Sequence, residues 1–339
     1  MTRDSASAET SIAALPVPCG VVVIGRNEGD RLKRCLASVR GAAAAVVYVD
    51  SGSTDGSVEW ARSVGVDVVA LDMSTPFTAA RGRNAGFARL RELSPASRFV
   101  QFVDGDCEVA PGWLRVASDF LDHQPDVACV CGRLRERFPE RSIYNRLCDI
   151  EWNRAVGETD ACGGIVMMRS DVFAAVGGFR ESLIAGEEPE LCLRIRARGD
   201  RVWRIADDMA WHDAAMTRFG QWWRRAVRGG HALAEGLALH GAASSARDKG
   251  RLRRVVAWGM ALPAALIAMA AIHPAWLALV AVYPLRILRM AWKARGAEPS
   301  ANWLWASFMV LSSFPEAVGV ATYWLNRSRG QRGKLIEYK

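Results

Sequence analysis

Short apolar runs alternate with polar, helix-compatible segments through the first hundred or so residues, and this alternation restricts the fold more than any other feature. The apolar runs have the length of buried strands and occupy residues 20–25, 45–49, 66–71 and 98–103. The intervening segments predict helices over residues 30–40, 57–64 and 78–93. Strands and helices that alternate at this short spacing predict an α/β fold, with a mostly parallel sheet flanked by helices. Ligands of such sheets bind at the carboxyl ends of the strands.

A second set of elements extends this predicted domain to about residue 215. The expected strands lie at residues 127–132, 164–168 and 201–205, and a helix is expected at 187–197. Charged residues concentrate before residue 255, which indicates that this part of the chain is a soluble head.

The remaining residues are apolar and rich in tryptophan, which predicts a membrane-associated tail. Residues 255–272 carry no charge and are long enough to span a bilayer. A break at Pro274 precedes a second apolar stretch at 275–285, and residues 302–325 form a third that Pro315 interrupts. The alternative, in which these segments are buried core helices of a soluble protein, stays open at this point.

Arginine and tryptophan share the segment 216–254, as expected of amphipathic helices that lie on an anionic lipid surface. Basic residues flank the first two apolar stretches, which predicts a hairpin that returns to the cytosol and a re-entrant or interfacial third stretch. We therefore expect a cytoplasmic head at the cell inner membrane. The predicted segments are a disordered N-terminus without a signal peptide (1–18), the α/β domain (19–215), interfacial helices (216–254), membrane-embedded helices (255–326) and a basic cytosolic tail (327–339).

The formal net charge of +8 suits anionic partners, namely a lipid headgroup surface or a phosphorylated substrate. Nucleic acid is not expected as a partner, because no stretch forms a recognisable binding module with interleaved arginine and aromatic residues. The eight cysteines show neither a paired zinc spacing nor a disulfide framework. They are predicted to be buried free thiols in a reducing compartment.

Two carboxylates separated by a glycine follow the strand at 98–103, at Asp104, Gly105 and Asp106. Such a turn can hold one Mg²⁺ or Mn²⁺ together with a diphosphate, because these ions take few protein oxygens and leave positions for phosphate. The alternative is an ordinary solvated turn.

Other polar residues are predicted to reach the same edge of the sheet. Asp50 and Ser51 follow the second strand, where they could hydrogen-bond a base or a ribose, or cap the next helix. Arg81, Arg83 and Asn84, near the start of the third helix, offer donors to a phosphate or a base.

Acidic residues crowd the first turn of the helix at 187–197, where Glu187 and Glu188 are adjacent. Carboxylates suit the helix dipole, which is a sufficient structural reason for some of them. Their crowding is also expected to raise at least one pKa toward that of a general base.

Five motifs stand in the order found in family 2 glycosyltransferases, and the chain resembles an inverting, hexosyltransferase-like member of that family over roughly residues 19–213. The motifs are VIGRNE at 23–28, DSGSTD at 50–55, RNAG at 83–86, DGD at 104–106 and GEE at 186–188. The resemblance implies a GT-A fold, a nucleotide-diphosphate sugar donor, and Mg²⁺ or Mn²⁺ as cofactor. It also places Asn27 and Glu28 of the first motif among the donor-binding residues.

The resemblance assigns roles to individual residues of the head. Asp50 would contact the nucleotide, and Asp104 and Asp106 would bind the metal and the diphosphate. His212 matches a histidine that serves as a further metal ligand in many relatives. The catalytic base is an aspartate in the family and falls on Glu188 in this chain. Glu187 is the reserve candidate.

Residues 221–225 are similar to the Gln-x-x-Arg-Trp motif of membrane-bound polysaccharide synthases, with Arg224 at the arginine position. Arg225 replaces the final tryptophan, so the motif does not by itself predict processive synthesis. We expect single-displacement transfer to a lipid-linked or glycan acceptor in polysaccharide or glycolipid biosynthesis. Two alternatives stay open, a sugar nucleotidyltransferase and a non-catalytic membrane scaffold that binds a sugar nucleotide.

Overall fold

A mixed sheet forms the centre of the head, and its first half is the parallel arrangement that the apolar runs predict. The computed structural model of the protein describes residues 18–294, 298–331 and 333. The predicted disordered segment, apart from Pro18, and residues 332 and 334–339 of the predicted basic tail lie outside the described residues.

The strands alternate with helices along the first half of the head, as expected. They are β1 (Cys19–Gly25), β2 (Ala45–Asp50), β3 (Asp67–Ala70), β4 (Phe99–Asp104), β5 (Cys107–Val109), β6 (Val127–Glu136), β7 (Gly157–Glu158), β8 (Val166–Arg169) and β9 (Arg201–His212). Their order in the sheet is β3-β2-β1-β4-β8-β6-β9-β5, with β7 paired to β9. The pairings among β3, β2, β1 and β4 are parallel, and β8 is antiparallel to both of its neighbours.

Helices cover both faces of this sheet. They are α1 (Asp30–Val39), α2 (Ser57–Ser63), α3 (Ala79–Leu93), α4 (Trp113–His123), α5 (Ile143–Trp152), α6 (Ser170–Ala175) and α7 (Glu187–Ala197). The middle of β1, at Val21, Val22 and Val23, is fully buried, as expected of a strand covered on both faces. The eight cysteines, all in the described part of the chain, are buried free thiols, as predicted.

Strand β9 is longer than the sequence predicts, and its extension positions part of the site. The sequence predicts a short strand at residues 201–205. In the structure, β9 continues to pair with β6 as far as His212, past several register shifts. The short strand β5 then pairs antiparallel with the end of β9 and sets Cys107 opposite His212. This pairing brings the end of β9 beside the DGD turn that follows β4.

The C-terminal part of the chain is helical in the described residues. The α-helices are α8 (Phe219–His240), α9 (Ala246–Val256), α10 (Leu262–Ile272), α11 (Val282–Lys293), α12 (Pro299–Leu311) and α13 (Ser313–Ser328). A π-helical turn at Ala257–Ala261 joins α9 to α10, so the predicted boundary at residue 254 lies inside a continuous helix.

Three helical stretches have the length and apolar composition needed to cross a membrane. They span Ala246–Ile272, Pro274–Lys293 and Pro299–Ser328. In the most apolar window of each, 11%, 6% and 44% of the residues are buried inside the protein. The first two stretches therefore leave their apolar surfaces uncovered, whereas the third packs against the rest of the protein.

The third stretch contacts α8 through glycines that let the two backbones approach closely. A Cβ atom at Gly230 would lie 2.0 Å from the carbonyl oxygen of Glu316, and one at Gly319 would lie 2.0 Å from that of Val227. Small residues at such crossings allow tight helix packing. The packing fixes α8, which forms one wall of the cleft described next.

Candidate active site

A cleft of about 700 Å³ lies between the carboxyl ends of the parallel strands and the helices α7 and α8. The head contributes Ser51, Asp104, Asp106, Glu187, Glu188 and His212 to its lining. The structure thus brings together the turn after β4, the start of α7 and the end of β9. These are three of the acidic or imidazole-bearing places that the sequence singles out.

Arg83 joins the DGD turn to the start of α7. Its guanidinium donates to Asp104 Oδ1 at 2.7 Å and to Glu187 Oε1 at 2.6 Å, and the residue is buried. Burial raises the pKa of Glu187, but the Arg83 cation, a backbone hydrogen bond and the Arg228 charge together outweigh burial and lower it. A Cβ atom at Gly164 would lie 2.7 Å from the Arg83 guanidinium, so glycine is needed for this close approach.

Arg81 and Asn84, the other two donors predicted near the start of α3, bind the surrounding loops in this structure. Arg81 donates to the carbonyl oxygens of Asp72 and Thr75 at 2.7 and 2.9 Å. Asn84 exchanges hydrogen bonds with the backbone of Phe179, at 2.8 and 2.9 Å. Both side chains therefore brace loops at the rim, and neither lines the cleft.

Asp106 and His212 form the metal-type group of the cleft. Asp106 Oδ2 lies 3.2 Å from His212 Nε2, and the ligand atoms of Asp106, Cys107 and His212 all lie within 4.8 Å of one another. His212 Nδ1 faces Glu136 Oε2 at 3.8 Å, which is the side from which a carboxylate orients a metal-binding imidazole. Burial raises the pKa of the Cys107 thiol well above its ordinary value, so the carboxylate and the imidazole are the ligands suited to a hard cation.

The loops after β1 and β2 are shaped by the buried side chain of Asp50 and the exposed side chain of Asn27. Asp50 accepts hydrogen bonds from the Tyr48 hydroxyl at 2.8 Å and from the backbone N–H groups of Gly52 and Ser53 at 2.9 Å. Asn27 accepts from the backbone N–H of Thr54 at 2.7 Å. These bonds shape the loop from which Ser51 lines the cleft.

Glu28 lines the cleft from the loop after β1 and pairs with Arg31 at 2.7 Å. Gly105 lies in the turn after β4, where its backbone N–H donates to the carbonyl oxygen of Ile24 at 2.8 Å. A Cβ atom at Gly105 would lie 3.2 Å from that oxygen, so the turn packs tightly against the end of β1.

Glu188 is buried and has one oxygen that is fixed and one that is unpartnered. Oε1 accepts from the Cys162 backbone N–H at 2.6 Å and from the Cys192 thiol at 2.9 Å. Oε2 is buried and, among the described residues, has no hydrogen-bond partner. Burial raises the pKa of Glu188 well above that of an ordinary glutamate. Adjacent carboxylates thus have pKa values moved in opposite directions, which is typical of acid–base sites.

Helix α8 closes the cleft with a different arginine from the one that the motif selects. Arg224 lies on the exposed side of α8, whereas Arg225 and Arg228 line the cleft. Gln221, the first residue of the same motif, accepts from the backbone N–H groups of Thr217 and Arg218 at 2.9 and 3.0 Å and so caps the helix. The sequence signal for Arg228 is its position four residues after Arg224, on a neighbouring part of the helix surface.

Comparisons with known proteins agree with this geometry. Residues 20–177 match the family model described as "Glycosyl transferase family 2". The chain is 29% identical over 227 residues to the pre-mycofactocin glycosyltransferase of Mycobacterium tuberculosis, covering 62% of this chain and 46% of that protein. It is 26% identical over 219 residues to the succinoglycan biosynthesis protein ExoA of Rhizobium meliloti, covering 60% of this chain and 63% of that protein. The chain therefore spans about half the length of the first of these curated relatives.

A similar fold occurs in a solved structure. The mannosyltransferase PcManGT from Pyrobaculum calidifontis, solved in complex with GDP-Man and Mn²⁺, superposes with a TM-score of 0.62 at 21% identity. The likeness covers 91% of this chain and 90% of that one, so it extends beyond the α/β domain into the helical C-terminal part.

Proposed function

Since residues 20–177 belong to glycosyl transferase family 2, we propose that this chain transfers a sugar from a nucleotide-diphosphate sugar to an acceptor. The observation that carries the proposal is the meeting, in one cleft, of the DGD turn, His212 and the buried Glu188. Binding groups for a diphosphate and a candidate base stand at the carboxyl ends of parallel strands, where ligands of such sheets bind.

We propose Glu188 as the general base of an inverting, single displacement. Its Oε2 atom would accept the proton of the acceptor hydroxyl while the acceptor oxygen bonds to the anomeric carbon. The bond from that carbon to the diphosphate oxygen breaks, and the nucleoside diphosphate leaves. A base whose pKa is raised by burial is a stronger proton acceptor than an ordinary carboxylate.

Asp106 and His212 would hold Mg²⁺ or Mn²⁺, with Asp104 beside them. The pair fits such an ion because Oδ2 and Nε2 lie 3.2 Å apart and Glu136 stands behind the imidazole. When bound, the ion supplies charge stabilisation to the departing diphosphate. The presence of Mn²⁺ with GDP-Man in PcManGT supports this choice of cofactor and of donor class. Arg83 keeps Asp104 and Glu187 in place at the same edge.

We propose a lipid-linked acceptor, because the cleft continues from the carboxylates along an apolar wall of α8. Ala232, Leu233, Gly236 and Leu237 line this part. The uncovered stretches Ala246–Ile272 and Pro274–Lys293 would form the membrane hairpin, with Pro299–Ser328 packed on α8 near the interface. The head would then face the cytoplasm at the inner membrane, and the chain would act in polysaccharide or glycolipid biosynthesis. The relative ExoA, which is named for succinoglycan biosynthesis, supports this proposal.

The test is nucleoside diphosphate release by the detergent-solubilised full chain. Each of a panel of nucleotide sugars is supplied with Mg²⁺, with Mn²⁺ or with a chelator, in the presence and absence of a membrane lipid extract. Metal-dependent release that requires lipid supports the proposal and identifies the donor. Release of inorganic diphosphate from a sugar phosphate and a nucleoside triphosphate would indicate a nucleotidyltransferase. Donor binding without nucleoside diphosphate release, with or without the lipid extract, would indicate a non-catalytic scaffold.

A further inference from the structure

A second cavity, of about 520 Å³, lies among the three membrane-competent helical stretches, apart from the catalytic cleft. Trp258 of the first stretch and Trp305 of the third line it from two sides. The second stretch contributes the cations Arg286, Arg289 and Lys293. Because these residues are three, four and seven positions apart, they share one face of α11.

The positive charge of these three side chains is not balanced by the other residues that line the cavity. Among the described residues the lining includes no acidic side chain. The Arg286 guanidinium lies 3.8 Å from the centre of the Trp258 ring, and the Tyr283 hydroxyl donates to the Trp258 carbonyl oxygen at 2.9 Å. A cation–π contact uses the face of a guanidinium and leaves its N–H donors for an anion. The cavity therefore presents positive charge and hydrogen-bond donors between aromatic walls.

The cavity lies at the end of the helical bundle that is nearer to the head. Trp305 is one turn before Phe308, whose ring packs 5.8 Å from Tyr144 and 4.9 Å from Trp222. Lys293 is the last residue of α11. Tryptophan, arginine and lysine at helix ends are typical of the level of lipid headgroups. Lys293 thus falls at the level of membrane phosphates, and Arg289 and Arg286 follow on the same face, about one and two helical turns before it.

We propose that this cavity binds the phosphate headgroup of an anionic membrane phospholipid. The proposal rests on the membrane association proposed above and is independent of the transfer reaction. Basic pockets between membrane helices suit anionic headgroups, and each nearby cation adds to the attraction. Leu285, which lines the cavity, and Leu288 are 61% and 44% exposed, so apolar surface for acyl chains adjoins the phosphate site.

The test measures lipid retention by the full chain in nanodiscs of phosphatidylcholine with and without phosphatidylglycerol, using native mass spectrometry after extraction. We expect phosphatidylglycerol to be retained in preference to phosphatidylcholine. The variant R286Q/R289Q/K293Q should retain it roughly tenfold less or worse, whereas R286K/R289K should retain most of it. The matched control R247Q/R253Q/R329Q removes the same charge at exposed positions outside the cavity and should behave like the parent.

Four results would overturn the proposal. They are equal retention of both lipids by the parent chain, undiminished retention by the triple variant, an equal loss in the control variant, and displacement of the lipid by inorganic phosphate or preferentially by polyprenyl phosphate. Thermal unfolding shows whether the triple variant is folded. Donor binding gives a second check, because the three substituted residues do not line the catalytic cleft. If it is not, the single change R289Q at an exposed side chain should still give a partial loss, and an unchanged R289Q would contradict the proposal.

Discussion

Arg83 and Glu187 form a buried ion pair of 2.6 Å that joins helix α3 to the first turn of α7. The same guanidinium holds Asp104 at 2.7 Å. Two acidic groups from distant parts of the sequence are thereby fixed on one side of the cleft.

Replacing Arg83 with glutamine should destabilise the protein by about 3–5 kcal/mol, because it leaves the buried Glu187 without its counter-ion. Arg83→Lys keeps the charge but cannot bind both carboxylates, so it should cost less. The lowered pKa of Glu187 means that its contribution is present above the pKa of an unfolded glutamate and is lost as pH falls through the folded value. Chemical denaturation in detergent at neutral and acid pH measures both effects. Equal, small losses in the two variants would contradict this role.

The contributions of the His212 imidazole and the neighbouring Cys107 thiol to metal binding can be tested separately. His212→Gln should weaken Mn²⁺ binding roughly tenfold or more, and Glu136→Gln should do so through the orientation of the imidazole. Cys107→Ser should leave the affinity unchanged, because burial keeps the thiol protonated. Titration followed by electron paramagnetic resonance gives the affinities, with His123→Gln on the remote helix α4 as control. A loss in Cys107→Ser as large as in His212→Gln would make the thiol a ligand.

Helix α8 carries a matched pair of arginines that differ in exposure. Arg228 lines the cleft, whereas Arg224 is exposed. Burial raises the pKa of Glu187, and the charge of Arg228, like that of Arg83, lowers it. We expect Arg228→Gln to lower kcat/KM roughly tenfold, as for the loss of a charged hydrogen bond to a substrate anion. Arg224→Gln should stay within about twofold of the parent, since a solvated side chain contributes little. A larger loss of kcat/KM in Arg224→Gln than in Arg228→Gln would contradict this assignment. It would show that the arginine at the motif position, and not the one that lines the cleft, contributes to transfer.

Glu235 on α8 should make stability depend on pH in the direction opposite to Glu187. Burial raises its pKa to about 7, so the folded state holds a proton that the unfolded chain loses between about pH 4.5 and 7. Stability should therefore fall as pH rises through that window, by roughly 3 kcal/mol at most. Glu235→Gln should stabilise the protein at pH 8 and change little at pH 4. The variant Glu158→Gln, at an exposed position in β7, controls for the loss of one carboxylate. A stabilisation that is the same at both pH values would refute this origin.

The sequence predicts the sheet well, because burial on both faces leaves a local signature. Val21, Val22 and Val23 of β1 are fully buried, and the helix at 187–197 has its predicted bounds. Helix α4 was not predicted, although its buried residues at 113, 114, 117 and 121 have helical spacing. That signal was present in the sequence.

The site is less accessible to sequence reasoning, because its decisive contacts join distant residues. The Arg83–Glu187 pair spans 104 positions, and the motif at 83–86 includes Arg83 without indicating that Glu187 is its partner. The choice of Arg228 over Arg224 depends on the rotation of α8, which its close crossing with α13 at Gly230 fixes. The raised pKa of Glu188 follows from burial by the surrounding fold rather than from the crowding of acids in its own turn.

The most direct measurement of the central claim compares sugar transfer by the parent chain and Glu188→Gln, with donor binding followed in the same samples. We predict that the variant loses at least about 100-fold in rate, as expected on removal of a general base, while its donor affinity stays within about twofold. Glu158→Gln should match the parent in both readouts. Transfer by Glu188→Gln at the parent rate, with the donor bound normally, would contradict the assignment of Glu188 as the base.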